Sequence, residues 1–216
     1  MTFSTMLSTM SVGMLRPCGI FFLTLLFSLP LGMIVMFLRR SRFKLVQGIT
    51  KVFIAIMRGT PLMLQLLVWY FGPYYLFGWS LSKYPAFAAA VIAFSLNYAA
   101  YFAEIYRGGI ESMPVGQYEA AHVLGYSKRQ TFLRIILPQV IKRILPSVTN
   151  EVITLVKDTS MAFTLAYMEM FSIGKQIANS QSSFLPFVIA GVFYYVMNSV
   201  VAFVMSRFEK SLSYYR

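Results

Sequence analysis

The sequence predicts an all-α membrane protein with five transmembrane helices, because of its composition, its long apolar runs and the placement of its basic residues. Of its 216 residues, 58% are hydrophobic and only 12% are charged, whereas soluble domains carry roughly 25% charged residues. The 19 basic residues exceed the 7 acidic ones, which would suggest nucleic acid in a soluble protein. Here the basic residues flank apolar runs, so a lipid bilayer and not nucleic acid is the expected partner.

Five apolar runs are near or above the length of about twenty residues that crosses a hydrocarbon core as a helix. They lie at about 17–38, 53–77, 85–103, 144–168 and 184–206. The chain has the length of one domain, residues 1–216. The first run is too long for a cleaved signal peptide and lacks a basic segment before it, so we expect it to stay in the membrane.

The basic residues between the runs set the expected orientation. Five lie in the first loop, six in the central loop 104–143 and three in the C-terminal tail, whereas Arg16, Lys83 and Lys175 lie on the opposite side. Basic loops are retained in the cytoplasm. The N-terminus is therefore expected outside, the C-terminus inside, and the loop between the third and fourth helices in the cytoplasm.

The polar stretch in that loop predicts two short helices separated by a turn. Pro114 suits the first turn of a helix, and Gly125 suits the left-handed position just past its end. Ser127 and Gln130 have the spacing of a capping box that begins a second helix. Pro138 is expected to end or kink this second helix.

The same stretch carries a spaced pattern: Glu119-Ala120-Ala121, three residues, Gly125, nine residues, then Ile135-x-Leu137-Pro138. This pattern resembles the cytoplasmic coupling loop of bacterial ABC-importer permeases at every fixed position. The alanines keep the helix thin enough for another protein to close over it, and Glu119 stays charged for a polar contact. The resemblance implies that Glu119, Ala120, Ala121 and Gly125 contact an ATPase. An amphipathic hairpin resting on the bilayer is the alternative.

The second run contains Arg58-Gly59-Thr60-Pro61. Since Pro61 leaves a backbone carbonyl without its usual partner, we expect a kink near Gly59–Pro61. Arg58 is near enough to the cytoplasmic end to reach the interface.

Small residues form a stripe along the third run, which indicates a seam where helices pack closely. The stripe consists of Ala86, Ala90, Ala93, Asn97, Ala100 and Glu104. Asn97 either forms a hydrogen bond across this seam or contacts a solute.

Charged residues in the fourth run are costly in a bilayer and indicate a cavity or a partner. Glu151 and Asp158 are seven residues apart and share a helix face, with Thr154 beside them. Lys157 lies about 240° around the helix from Glu151, so it cannot form an i,i+3 or i,i+4 ion pair with that residue. The partner is either a neighbouring helix or subunit, water, or a zwitterionic solute whose ammonium meets the carboxylates and whose carboxylate meets Lys157.

Further stretches resemble the polar amino acid subfamily of these permeases. They are Arg58 to Leu62 with Gln65-Leu66, Tyr101 to Gly109 with Gly116-Gln117, and Lys157 to Ser160. The resemblance implies a bacterial inner-membrane permease that imports a polar L-amino acid. It also implies three partners: a second permease copy or a close paralogue, a cytoplasmic ABC ATPase dimer, and an extracytoplasmic amino acid-binding protein.

The chain has no G-x-x-x-x-G-K-[ST] loop, so we expect ATP to be bound by the partner ATPase and this chain to be no enzyme and to need no cofactor. Its only cysteine, Cys18, and only histidine, His122, predict no metal site.

The identity of the transported amino acid is left open. The two carboxylates on one face of the fourth helix favour a cationic solute such as arginine, lysine or histidine, but Lys157 beside them also allows glutamine, glutamate or cystine. A self-sufficient channel or secondary carrier is the alternative function.

Overall fold

The computed structural model describes residues 2–80 and 85–212, so Lys83 lies outside the described residues. Within these ranges every regular element is helical. The elements are α1 Phe3–Arg39, α2 Lys44–Gly59, α3 Leu62–Phe77, α4 Ala86–Glu111, α5 Val115–Val123, α6 Lys128–Gln130, a π-helical turn Thr131–Ile136, α7 Leu137–Asp158, a 3₁₀ segment Thr159–Leu165, α8 Met170–Gln181 and α9 Leu185–Ser211.

Three helices, α1, α4 and α9, are long and apolar enough to cross a membrane. The pair α2 and α3 gives a fourth crossing if the two helices cross as one bent span. Helix α7 carries five charged side chains between Lys142 and Asp158. The predicted count of five spans is therefore not confirmed by length and composition.

Several predicted spans have different bounds in the structure, and α4 extends to Glu111, beyond the predicted end at 103. Helix α1 begins at Phe3, fourteen residues before the predicted 17–38, and continues through Pro17 and Pro30. Its 37 residues give a rod of about 55 Å, longer than a hydrocarbon core of about 30 Å. The predicted fourth span 144–168 is also not one helix, because α7 ends at Asp158 and a 3₁₀ segment follows it.

The second predicted span is broken into two helices. Helices α2 and α3 meet at an angle of 112°, and Thr60 between them is extended, with φ −116° and ψ 148°. A proline disfavours the helical conformation in the residue before it and supplies no N–H to the carbonyl four residues back. The expected kink near Gly59–Pro61 is confirmed, but the continuous helix over 53–77 is wrong.

Side chains of α4 and α3 donate hydrogen bonds that stabilise the break. The carbonyl that Pro61 leaves free belongs to Met57, and it accepts hydrogen bonds from Asn97 Nδ2 at 2.8 Å and Gln65 Nε2 at 3.0 Å. Asn97 Nδ2 also donates to Gln65 Oε1 at 2.9 Å. Asn97 therefore ties the bent α2–α3 pair to α4.

The small-residue seam of α4 is confirmed. Ala90, Ala93 and Ala100 are fully buried, Asn97 bonds to the α2–α3 break, and α4 also approaches α1 closely. A Cβ at Gly32 of α1 would lie 2.8 Å from the Cβ of Phe102. Only glycine permits this close approach of the two helices.

The contacts between helices define their directions. Gly19 of α1 lies beside Phe87 and Gly32 beside Phe102, so α1 and α4 run parallel. Helix α7 runs the opposite way, because its start meets the end of α4 at Gly109 and its end meets the middle of α4 at Tyr98. The start of α9 packs with the start of α1 and with α8, so α9 runs parallel to α1.

The ends of α1 and α4, the second half of α2, the π-helical turn and the start of α7 share one apolar cluster that includes Met36, Ile54, Ala103, Ile136 and Val140. We call this the loop end of the bundle, because the α5 segment leaves from it. The start of α1, α8 and the start of α9 form a separate cluster at the opposite end.

Candidate functional site

Helix α5 is a short, well-terminated helix at the loop end. Pro114 is its N-cap residue, with φ −60° and ψ 135°. Gly125 has φ +78°, its N–H donates to His122 O at 3.0 Å, and Tyr126 N–H donates to Ala121 O at 3.0 Å. These two bonds form a Schellman motif, which satisfies carbonyls at the helix end. The predicted short helix and left-handed glycine are confirmed.

The second helix of the loop begins as predicted but does not end at Pro138. Gln130 N–H donates to Ser127 Oγ at 3.3 Å, and Ser127 N–H donates to Gln130 Oε1 at 2.9 Å, which completes the capping box. The chain then makes the π-helical turn Thr131–Ile136 and continues as α7. The wider turn just before Pro138 accommodates its ring and missing N–H, so α6 joins α7 without a stop.

Of the four residues predicted to contact the ATPase, three are exposed and one is buried. Glu119 and Ala120 are exposed, and a Cβ at Gly125 would meet nothing within 4 Å. Ala121, by contrast, is 1% exposed and packs within its own chain. The exposed surface of the loop thus includes Glu119, Ala120 and Gly125.

Sequence reasoning missed the apolar tip of this loop, which consists of Val123 and Leu124. These two residues are 85% and 73% exposed. Val115, at the other end of α5, is 69% exposed. Apolar residues beside the turn glycine were the available signal. Apolar side chains grouped at an exposed tip are typical of a surface that contacts another protein or a membrane.

The acidic residues of α7 lie half-buried against α4. Asp158 Oδ2 accepts a hydrogen bond of 2.7 Å from the hydroxyl of Tyr98, whose side chain is 2% exposed. The Glu151 carboxylate interacts electrostatically with Arg58 and with Asp158, and the Arg58 guanidinium lies over the Tyr101 ring, 5.1 Å from its centroid. Among the described ranges, neither carboxylate has a cation within 4.0 Å.

Thr154 and Lys157 lie on a separate, exposed face of α7. The five residues predicted to contact solute therefore form three groups. Glu151 and Asp158 lie between α7 and α4, Thr154 and Lys157 face outward from the single chain, and Asn97 is occupied at the α2–α3 break.

A buried acid that sequence reasoning missed lies at the end opposite the loop. The Glu169 side chain is fully buried and caps α8, accepting hydrogen bonds from Phe171 N–H at 2.7 Å and Ser172 N–H at 2.8 Å. The Tyr194 hydroxyl donates to it at 3.2 Å. Burial raises the pKa of Glu169, while these donors act in the opposite direction. The available signal was an acidic residue placed directly before a helix.

Potential metal ligands are scattered across the structure. Over residues 2–80 and 85–212, no three His, Cys, Asp or Glu side chains lie close enough together to hold a metal ion.

Together, the apolar crossing helices and the short exposed helix at one end define a multi-pass membrane protein that presents a surface for a partner. Residues 14–214 match the family described as the inner-membrane component of binding-protein-dependent transport systems. The chain belongs to this family, and it is a multi-pass inner-membrane permease subunit. In the family the ATPase is a separate subunit, so this chain is not itself an enzyme.

Individual relatives are similar over most of their length. The probable amino-acid permease protein YxeN of Bacillus subtilis (strain 168) is 36% identical over 190 residues, which is 88% of this chain and 84% of that protein. The L-cystine transport system permease protein TcyL of the same organism is 39% identical over 179 residues, 81% of this chain and 75% of that protein.

A solved structure has the same fold. The crystal structure of an amino acid ABC transporter with histidines contains a chain that superposes with a TM-score of 0.87 at 30% sequence identity. The match covers 98% of this chain and 99% of that one.

Proposed function

We propose that this chain forms the translocation pathway of an ATP-driven importer for a polar L-amino acid. The observation that carries the proposal is α5, a capped helix that presents Glu119, Ala120 and an apolar tip to a partner. The relatives named as amino-acid and L-cystine permeases support the solute class. The substrate stays open among the cationic amino acids, glutamine, glutamate and cystine, because the charges near α7 include both signs.

The proposed arrangement has five crossings: α1, the bent α2–α3 pair, α4, α7 and α9. Since α1 and α4 run parallel, the chain must return across the bilayer between them, which favours α2–α3 as one crossing. The first loop, the central loop and the tail carry most of the basic residues, so the loop end faces the cytoplasm and the N-terminus lies outside. Residues 1–216 act as one permease domain.

The proposed partners follow from the exposed surfaces. An ATPase dimer binds ATP and contacts Glu119, Ala120, Gly125 and the apolar tip, while Ala121 supports the helix from within. A second permease subunit, identical or paralogous, covers the exposed face of α7 with Thr154 and Lys157. An extracytoplasmic binding protein delivers the solute to the opposite end.

The proposed solute contacts are Glu151 and Asp158, with Thr154 and Lys157 contributing from the face that the second permease subunit covers, whereas Asn97 stabilises the α2–α3 break. Glu151 and Asp158 suit an ammonium group and Lys157 suits a carboxylate. Such contacts suit the general position of transport sites near the middle of the bilayer.

The test of this function is release of the ATPase by Glu119→Arg or Gly125→Arg. Glu119→Arg reverses the one charge on the exposed side of α5, and any side chain at Gly125 is strained at φ +78°. We expect each variant to insert normally but to lose co-purification with the ATPase in mild detergent. Glu209→Arg, a charge reversal near the end of α9, is the matched control.

Co-purification at the wild-type level in both variants would contradict coupling through α5. A self-sufficient channel or secondary carrier requires solute flux in vesicles that lack ATP and the ATPase. The family assignment does not favour that alternative.

A further inference from the structure

A cavity with a volume of about 920 Å³ lies at the loop end, between the start of α5 and the start of α7. One wall comes from Met113, Pro114 and Gln117, and the opposite wall runs from Arg134 to Pro146. The proposed solute contacts of α7 all lie beyond Pro146. The cavity is therefore separate from them.

The charge of this cavity is entirely positive. Its lining includes Arg134, Lys142 and Arg143 and contains no acidic side chain. Arg143 is held in place, because its Nη1 donates to the backbone carbonyl of Ser112 and, at 3.1 Å, to the Ser112 hydroxyl. In the part of the chain that the structure describes, no carboxylate lies within 4.0 Å of Arg134 or Lys142. Two cations thus remain for an outside anion.

Hydrogen bonds join the two walls of the cavity on the α5 side. Gln117 and Gln139 exchange two side-chain hydrogen bonds, of 2.9 and 2.8 Å, which join α5 to α7 at the cavity wall. A ligand in the cavity therefore lies directly against the base of the helix that the ATPase is proposed to contact.

The position of the cavity indicates the source of the anion. It lies beside the end of α4 at Glu111, and in the proposed five-crossing arrangement its Pro146 side is where α7 enters the bilayer. The headgroup layer starts at this level and extends roughly 5–8 Å beyond the hydrocarbon core on each side. Met113, Ile135 and the two prolines 138 and 146 supply apolar walls that suit glycerol and the first acyl carbons.

We propose that this cavity binds the phosphate headgroup of an anionic phospholipid, with Arg134, Lys142 and Arg143 contacting the phosphate oxygens. Basic pockets between membrane helices on the cytoplasmic side bind such headgroups, and charge-assisted contacts from arginine are well matched to phosphate. The leaflet is the cytoplasmic one if the proposed orientation holds. The binding itself does not depend on that orientation or on the transported solute.

The test uses native mass spectrometry of the purified permease in mild detergent with equimolar phosphatidylglycerol and phosphatidylcholine of identical acyl chains. We expect the wild type to retain phosphatidylglycerol in preference to phosphatidylcholine. The double variant Arg134→Gln/Lys142→Gln is expected to weaken that binding by roughly 25-fold, about fivefold for each cation. The control Arg40→Gln/Arg42→Gln removes two exposed cations at the same end of the bundle and is expected to leave the preference unchanged.

Three outcomes would overturn the proposal. The first is equal phosphatidylglycerol occupancy in the pocket variant and the control, with both monodisperse and of wild-type helicity. The second is displacement of the lipid by inorganic phosphate in excess, which assigns the cavity to a soluble phosphate. The third is loss of the lipid from the wild-type permease when its ATPase is bound, which assigns the cavity to the ATPase.

Discussion

The hydrogen bond between Tyr98 and Asp158 shows how one acidic side chain of α7 is accommodated within the bundle. A hydroxyl donates to the carboxylate, and the neighbouring Lys157 is exposed. Hydrogen bonds to charged groups contribute about 1.5–3 kcal/mol when they are shielded from water. Asp158 is only half-buried, so a value near the lower end is expected.

Removing that hydroxyl is therefore a test of the α4–α7 contact. Tyr98→Phe keeps the ring in the core and is expected to lower the free energy of unfolding by about 1–2 kcal/mol. The measurement is unfolding of the purified permease in detergent. Tyr106→Phe is the control, since its hydroxyl makes only a 3.4 Å contact with Leu29 O. Equal losses in the two variants would contradict a specific role of the Asp158 bond.

Glu151 tests the proposed solute contacts. Its carboxylate is half-buried and interacts electrostatically with Arg58, but within the described ranges it has no cation within 4.0 Å, so it can meet an ammonium group. We expect Glu151→Ala to weaken solute-stimulated ATP hydrolysis of the assembled transporter by about tenfold or more in apparent affinity, as for loss of a charge-assisted contact. Glu111→Ala, outside the crossing region, is the control. Wild-type stimulation and affinity in Glu151→Ala would mean that the solute contacts lie elsewhere.

The contact between α4 and α7 depends on a missing side chain at Gly109. A Cβ there would overlap the Cγ2 methyl of Ile144 and lie 3.3 Å from Cγ1 of Val140. The Ile144 methyl is attached to a branched Cβ and cannot move away easily. The neighbouring Gly108 faces open space.

Two adjacent substitutions in α4 should therefore have opposite effects. Gly109→Ala is expected to destabilise the protein by about 1–3 kcal/mol through overpacking. Gly108→Ala is expected to be neutral or to stabilise by up to about 1 kcal/mol, because alanine favours helix. Thermal unfolding of both variants in the same detergent is the measurement, and a similar shift in both would contradict the close crossing.

At the scale of elements, the sequence predicted those features of helix ends that depend only on neighbouring residues. The capping box at Ser127 and the left-handed Gly125 follow from residues within a few positions. The sequence predicted only a kink at Pro61, because the donor that stabilises the free Met57 carbonyl lies forty residues away at Asn97. The start of α1 was missed for a similar reason, since Met6 and Met10 gain their burial from α8 and α9.

For the whole molecule, the sequence predicted a helical permease, and the family match confirms it. The grouping of the proposed solute residues could not be predicted from spacing alone. Glu151, Thr154 and Asp158 were expected on one face, but α4 covers the two acids and leaves Thr154 exposed. Which side of α7 a neighbour covers depends on tertiary packing, which helical periodicity does not specify.

The orientation of the whole molecule is testable with single cysteines. In a Cys18→Ser background, Gln181→Cys at the end of α8 is expected to react with a membrane-impermeant maleimide on intact cells. His122→Cys on α5 is expected to react only after the membrane is permeabilised. The opposite pattern would place the loop end outside and would exclude contact with a cytoplasmic ATPase.

The tight crossing at Gly109 has a mechanical consequence. It joins the two helices on either side of the α5 loop, so a rotation of α7 driven by a force on that loop would be centred near Ile144. From there to Asp158 the helix extends about 21 Å, so each 10° of rotation displaces the Asp158 end by about 4 Å. In that geometry a small push at the loop end would displace the Asp158 end of α7 by several ångströms.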